Sequence, residues 1–281
     1  MKFTKMHGLG NDFIIMDYID SPMPKNQSWE ELAKKVCRRG FSVGADGLVL
    51  LTGNEDLSYN MRIFNSDGSE AQMCGNAIRC IGKYLYEDKN IKQDKLIIET
   101  KGGTKKLTLK SKDDKVEEVE VNMEKPILES KDIPVKGDNR KIIGETVETP
   151  WGQFEFTAVS MGNPHIVIFN QDLEDDETIN QVGSYLEKHD LFPEGTNVEF
   201  VQIKDSKEMN VKVWERGAGR TYACGTGACA SLVASVLNGY TDLSAKVNLP
   251  GGSLNISWDK DNSGDIFMSG KAEIVYRGEL S

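Results

Sequence analysis

The sequence predicts an α/β (α+β) protein made of two pseudo-symmetric halves. Residues 61–80, MRIFNSDGSEAQMCGNAIRC, align without a gap on residues 211–230, VKVWERGAGRTYACGTGACA, at an offset of 150. Gly10-Asn11 recurs as Gly162-Asn163 at an offset of 152, and the Phe13-Ile14-Ile15 that follows falls near Ile166-Val167-Ile168. In both halves a strand pattern, a Gly-bearing turn, a Cys-Gly pair and a helical pattern follow in the same order, as expected of an internal duplication.

Residues 61–64 and 211–214 read as short strands. They lead through Asp67-Gly68 and Gly217-Ala218-Gly219 to Cys74-Gly75 and Cys224-Gly225. After Cys74, the residues Ile78, Ile81 and Leu85 share one helical face. After Cys224, the residues Cys229, Leu232, Val233, Val236 and Leu237 do the same, and Asn238-Gly239 reads as a helix stop. Elsewhere strands dominate. Leu96–Thr100 and Lys105–Lys110 flank Gly102-Gly103 and predict a hairpin, and Val116–Val121 is a strand charged on one face. The polar stretch Lys110–Lys115 and the Pro-bearing stretch Lys125–Pro134 read as a boundary zone.

The 281 residues are enough for two cores, and 38% apolar with 28% charged residues is ordinary for a globular chain. A net charge of −10 argues against a general nucleic-acid binder, though not against an anionic substrate in a local basic pocket. No apolar run approaches the roughly 20 residues of a membrane span, and Met1–Gly10 lacks the layout of a signal peptide. The expected location is the cytoplasm. Five cysteines without a signal peptide do not suggest a disulfide framework. With no Cys-x-x-Cys pair and three histidines, the chain argues against a zinc site.

A cysteine at a helix start sits beside unpaired backbone N–H groups and the positive end of the helix dipole, both of which favour thiolate. The same N–H groups can hold a carboxylate. Two such elements suit inversion of a carbon stereocentre: one thiolate removes a proton from one face, and one thiol delivers a proton to the other. The roles swap with direction. Packing is the reading for Cys37, Cys80 and Cys229, since free cysteine usually only packs. For Cys74 and Cys224 the paired Cys-Gly context favours chemistry, with a redox pair as the rival.

Asn11, Asn65, Asn163 and Asn197 fall near turns or strand ends, where Asn alone usually shapes a turn. Glu215-Arg216 occupies the place of Asn65-Ser66 in the other half. The pair reads either as a surface ion pair or as a clamp, with Arg216 on a carboxylate and Glu215 on an ammonium group. His165 reads equally as a structural or a catalytic histidine.

With these residues assembled, the chain resembles the diaminopimelate epimerase family along nearly its whole length. The marks are His7-Gly-Leu-Gly-Asn-Asp-Phe13, Val43-Gly-Ala-Asp-Gly47, Phe64-Asn-Ser-Asp-Gly68 and Met73-Cys-Gly-Asn-Ala-Ile-Arg79. They continue with Met161-Gly-Asn-Pro-His165, Gly195-Thr-Asn197, Trp214-Glu-Arg-Gly217, Ala223-Cys-Gly-Thr-Gly227 and Val275-Tyr-Arg-Gly-Glu279. A lone Cys-Gly-Asn carries little weight; the ordered set is specific.

The resemblance implies two domains, each a mixed β-sheet wrapped around a central helix: residues 1–122 with 270–281 returning to them, and residues 123–269. It implies interconversion of LL- and meso-2,6-diaminopimelate, for lysine and peptidoglycan precursors, with no cofactor and no metal. Cys74 and Cys224 would be the acid/base pair, with His165 and Glu215 tuning catalysis. The N–H groups of Gly75, Asn76, Gly225 and Thr226 would hold the carboxylate at the reacting centre. Asn11, Asn65, Asn163, Asn197, Glu215 and Arg216 would read the substrate, with Asn65, Asn197 and Arg216 at the distal centre. Tyr276 would lie at a homodimer contact. Some relatives carry Gln where Gly47 stands, so no side-chain contact carries over there. The rival readings are a two-cysteine proline or hydroxyproline racemase, whose substrates lack a second amino-acid centre, and a thiol redox protein.

Overall fold

Strand β2 (Asn11–Asp17) buries Phe13, Ile14, Ile15 and Met16 in succession, so both of its faces are covered. It follows β1 (Lys2–Gly8) through a two-residue turn in which Leu9 and Gly10 both have positive φ, the conformation of a tight hairpin with right-handed strand twist. The turn starts β2 at Asn11. The computed structural model describes residues 1–53, 58–169 and 175–280. They form two compact units: unit one is Met1–Val121 with Ser269–Ser281, and unit two is Asn122–Met268.

In unit one, β2 pairs in parallel with β3 (Gly47–Gly53). A parallel pair needs a crossover, and helix α1 (Trp29–Val36) supplies it. Ser28 caps α1 by accepting from the Glu31 N–H, and Trp29, Leu32, Ala33 and Val36 form its buried stripe. That stripe packs on Ile14, Met16, Leu48, Leu50 and Phe64. The alternate residues Phe13, Ile15, Val49 and Leu51 face the other side. The sheet continues through β4 (Tyr59–Asn65), the short β5 (Glu70–Ala71), β6 (Lys95–Thr100), β7 (Gly103–Lys112) and β8 (Lys115–Asn122). The last strand, β18 (Glu273–Glu279), joins at β1. Helix α2 (Gly75–Glu87) is buried from Gly75 to Gly82. A Cβ on Gly82 would come 3.0 Å from Leu107 and 3.2 Å from Val119, so β7 and β8 close on α2 tightly.

Unit two repeats the scheme. Strands β9 (Glu145–Thr149), β10 (Gly152–Ser160) and β11 (Pro164–Phe169) are antiparallel neighbours. Helix α3 (Asp176–Glu187), capped by Asp175, crosses over to β12 (Asn197–Asp205), which pairs in parallel with β11. Ile179, Val182 and Leu186 of α3 pack on Ile166, Ile168, Val198 and Phe200. Then follow β13 (Glu208–Glu215), β14 (Gly219–Thr221), helix α4 (Gly225–Leu237), β15 (Ser244–Leu249), β16 (Gly252–Trp258) and β17 (Ile266–Gly270). Every residue of α4 from Gly227 to Ser235 is buried, as befits a helix enclosed by strands.

The 150-residue offset holds at the level of register. Ile63 opposes Ala71 as Val213 opposes Thr221, and α2 and α4 begin and end at equivalent positions. The mixed-sheet fold with a central helix in each half is therefore present. One expectation is corrected. Lys110–Lys115 is the β7–β8 hairpin, turning at Asp113 and Asp114 with positive φ, and not a boundary. Its polarity reflects a solvated turn. Residues 125–134 carry no strand and only isolated bridges at Ile127 and Glu129.

Candidate active site

Both paired cysteines are helix N-caps in extended conformation. Cys74 (φ −141°, ψ 121°) precedes α2, and Cys224 (φ −115°, ψ 112°) precedes α4. Helix geometry places the N–H groups of Gly75 and Asn76, and of Gly225 and Thr226, in the first turns, where no i−4 carbonyl exists to bind them.

In unit one the Cys74 thiol lies 3.6 Å from Asn11 Oδ1. Asn76 Nδ2 donates to the same oxygen at 3.1 Å, and Asn11 Nδ2 donates to Asp46 Oδ2 at 2.8 Å. Asp46 thus orients the Asn11 amide with its oxygen toward Cys74. Behind them Arg79 is fully buried and donates to Gly75 O at 2.9 Å and Asn76 Oδ1 at 2.8 Å, locking the first turn. Asp12 is tied to Lys5 and Arg39, and Arg39 also donates to Asp46. Burial alone would raise Asp12, but the Arg39 and Lys5 hydrogen bonds and the Lys5 charge outweigh it and bring its pKa to about 2.

In unit two Cys224 is 6% exposed and its Sγ accepts from the Gly227 N–H at 3.4 Å, with Thr226 Oγ1 at 3.5 Å. Thr221 donates to Glu215. His165 lies between Glu199 Oε1, 2.7 Å from Nδ1, and Asn163 Oδ1, 3.0 Å from Nε2. Burial raises the Glu215 carboxyl, against hydrogen bonds from Thr221 and Cys224 and the His165 charge, which pull it down. Burial, then the Glu215 and Glu199 carboxylates, hold the Cys224 thiol well above its ordinary range. Enclosure and the two facing carboxylates outweigh the Gly227 N–H and the Thr226 hydroxyl, and so favour the thiol form despite the helix start.

The sequence model of the family described as diaminopimelate epimerase matches residues 3–129 and 157–275. Diaminopimelate epimerase of Desulfitobacterium hafniense is 47% identical over 282 residues, covering 100% of this chain and 98% of that protein. The protein of the same name from Natranaerobius thermophilus is 48% identical over 301 residues, covering 100% and 98%. The chain belongs to the diaminopimelate epimerase family.

Solved structures similar to this family member include a probable proline racemase from Agrobacterium radiobacter K84, with TM-score 0.73 and 16% identity, covering 100% of this chain and 92% of that one. A hydroxyproline epimerase from Agrobacterium vitis has TM-score 0.72 and 15% identity, covering 99% and 91%. These likenesses show the fold alone. Isomerase chemistry follows from membership of the diaminopimelate epimerase family.

Each half of this epimerase-family chain gathers its own expected residues. Asn11, Gly75 and Asn76 surround Cys74, and Glu215, Gly225 and Thr226 surround Cys224, with Asn163 and His165 reached through Glu199. Asn65 is exposed at the end of β4, where it donates to Ser69 Oγ at 3.0 Å. Asn197 is 3% exposed and its amide is engaged with backbone. Arg216 is exposed, with Nη1 donating to Glu194 O at 2.9 Å. Tyr276 is 43% exposed on β18, its ring edge-on to Phe3 at 6.0 Å.

Cys37, Cys80 and Cys229 are buried in cores, and burial pushes Cys37 up to about 11 and Cys80 up to about 12, as inert packing thiols. Among the described residues no three His, Cys, Asp or Glu side chains group to hold a metal ion, and no helix is long and apolar enough to cross a membrane. Sequence reasoning missed Asp46, Thr221 and Glu199. For Glu199 a signal was present: an acid inside the apolar run Val198-Glu199-Phe200-Val201. Asp46 lies within the Val43–Gly47 motif, which carried no role for it, and Thr221 is an ordinary strand-end residue with no such signal.

Proposed function

We propose that this chain interconverts LL- and meso-2,6-diaminopimelate by a cofactor-independent, two-base reaction. Inversion at an α-carbon needs proton removal on one face and delivery on the other. The proposal assigns one face to Cys74 and the other to Cys224. What carries it is the matched pair of Cys-Gly helix N-caps, each backed by its own hydrogen-bonded network, in a chain nearly half identical to diaminopimelate epimerases along its length. First-turn N–H groups of Gly75, Asn76, Gly225 and Thr226 supply donors for the substrate carboxylate and for charge that develops as the α-proton leaves. Asn11, Asn163 and Glu215 then contact the reacting centre, while Asn65, Asn197 and Arg216 recognise the distal amino-acid group. His165 and Glu215 tune the thiols.

Incubating pure protein with LL-diaminopimelate in deuterated water, with no added cofactor, tests this reading. Deuterium should enter one substrate α-carbon as the meso isomer forms. Absence of label would overturn it. The same experiment with proline or hydroxyproline as substrate should give no exchange. The proposal includes a cytoplasmic enzyme acting as a homodimer through the exposed Tyr276 strand; a monomeric mass in solution would remove that last element.

A further inference from the structure

At two matched sheet positions unit two buries an ionisable side chain and unit one an apolar one. His165 on β11 and Glu199 on β12 have no side-chain exposure and face each other at 2.7 Å. Register equates them with Phe13 on β2 and Val49 on β3 of unit one. The same sheet therefore closes around the same helix with two apolar side chains at these places. Packing does not require an acid and an imidazole there, and burying them is costly unless they are paired.

The helix is adapted to the acid. At the position of Ala77 in α2, α4 has Gly227. A Cβ there would come 2.6 Å from Glu199 Oε1 and 3.3 Å from Cys224 Sγ. Gly227 makes room for the carboxylate directly behind the cysteine.

Hydrogen-bond polarity counts the protons. Nε2 of His165 faces the amide oxygen of Asn163, which only accepts, so Nε2 carries a proton. Nδ1 faces Glu199 Oε1, so a second proton lies between that nitrogen and the carboxylate. The pair therefore shares two protons, one on Nε2 and one between Nδ1 and Glu199 Oε1. The other carboxylate oxygen, Glu199 Oε2, is buried with no hydrogen-bond partner among the described residues. The titratable groups of unit two facing Cys224 are Glu215 from β13 and Glu199 from β12, with His165 from β11 behind Glu199. The first turn of α4 contributes none.

We propose that Glu199 is a positioning residue for the reaction: bound to Nδ1 of His165, it holds the ring in its two-proton form with Nε2–H on Asn163, so that a fixed imidazolium–carboxylate pair stands behind Cys224. This rests on the two-thiol reading above. No proton leaves the pair during turnover. It sets the field in which the thiol at Cys224, beside Glu215, exchanges its proton with substrate.

Nitrogen-15 NMR of histidine-labelled protein tests this without turnover. His165 in the unaltered protein should show both ring nitrogens protonated at neutral pH. In Glu199→Gln, which removes the charge and can turn its amide NH2 toward a bare Nδ1, the ring should show one protonated nitrogen, on Nε2. Glu199→Gln should also lower kcat by about tenfold or more, the equivalent of one pKa unit, with KM little changed and the pH profile displaced. Glu199→Asp should restore part of kcat. A singly protonated His165 in the unaltered protein overturns the proposal, as does a Glu199→Gln variant with an unchanged pH profile. If Glu199→Gln fails to fold, the spectrum of the unaltered protein and the Glu199→Asp profile decide. Failure of the two-thiol reading would instead appear as absent deuterium exchange in the unaltered protein, whatever the His165 spectrum.

Discussion

The side-chain oxygen of Asn197 accepts the backbone N–H of Arg216 at 2.9 Å, while its amide nitrogen donates to Pro164 O at 2.7 Å. One buried amide thereby joins the start of β12, the start of β11 and the turn after β13. Two further contacts hold that turn: Gly217 N donates to Glu187 Oε1 at 2.9 Å, and Arg216 Nη1 donates to Glu194 O. Arg216 is exposed, yet its backbone is held from both sides. Removing the amide with Asn197→Ala leaves the buried Pro164 carbonyl without this donor and the Arg216 N–H without its acceptor, at a cost of about 1–3 kcal/mol. Denaturant unfolding should show that loss, and KM for diaminopimelate should rise as Arg216 loses its position. An unchanged KM would separate Asn197 from substrate recognition.

The two thiols should be individually indispensable. General acid–base groups contribute about 10²–10⁴-fold to rate. Cys74→Ala and Cys224→Ala should each lose at least that much epimerisation, with melting temperatures close to that of the parent. Full turnover by either variant would remove the two-base assignment.

Gly227→Ala probes the approach of α4 to β12. A methyl 2.6 Å from Glu199 Oε1 forces the buried carboxylate to move, and overpacking of this kind costs about 1–3 kcal/mol. Activity should fall together with thermal stability. The matching exchange in unit one, Ala77→Gly, should lower stability by the helix propensity difference, about 1 kcal/mol, with a smaller effect on rate. Equal rate losses in the two would count against a special role for the gap at Gly227.

Asp12 and Glu215 respond to pH in opposite senses. Asp12 is depressed to about 2 in the fold, so the stability it contributes is present above its unfolded value and is lost as pH falls through about 2. Asp12→Asn should flatten that acid limb in unfolding measured between about pH 4 and pH 2, and should also destabilise at neutral pH by leaving buried Lys5 without its carboxylate partner. Glu215 is raised, so its contribution is present below its unfolded value and is lost as pH rises through the folded one. Glu215→Gln should therefore melt higher than the parent at neutral pH, by a margin that shrinks on acidification, while epimerisation falls. A lower melting temperature at neutral pH would contradict the burial of that carboxyl.

Much of the fold was legible because periodicity reports burial. The apolar positions after Cys74 and Cys224 marked α2 and α4, and Gly102-Gly103 marked the β6–β7 turn. The charged run at Lys110–Lys115 misled for a related reason. Polarity reports solvent, and a hairpin tip is as solvated as a linker. The cysteine caps were legible as well, but the ionisation of Cys224 was not. A helix start favours thiolate, and that effect is local. The opposing carboxylates come from residues 9 and 25 positions upstream, Glu215 and Glu199, which meet the thiol only after β12 and β13 have paired.

By itself the sequence determined the duplication, the family and the two cysteines, because each is carried by residue order within a short window. Tertiary structure alone decided which polar groups stand behind those cysteines. His165 meets Glu199 across 34 positions because α3 carries the chain over to a parallel strand, and Asn11 turns to Cys74 because Asp46, 35 positions on, holds its amide. Such pairings depend on register between distant strands and on the low dielectric of the closed core, and neither is written in local periodicity.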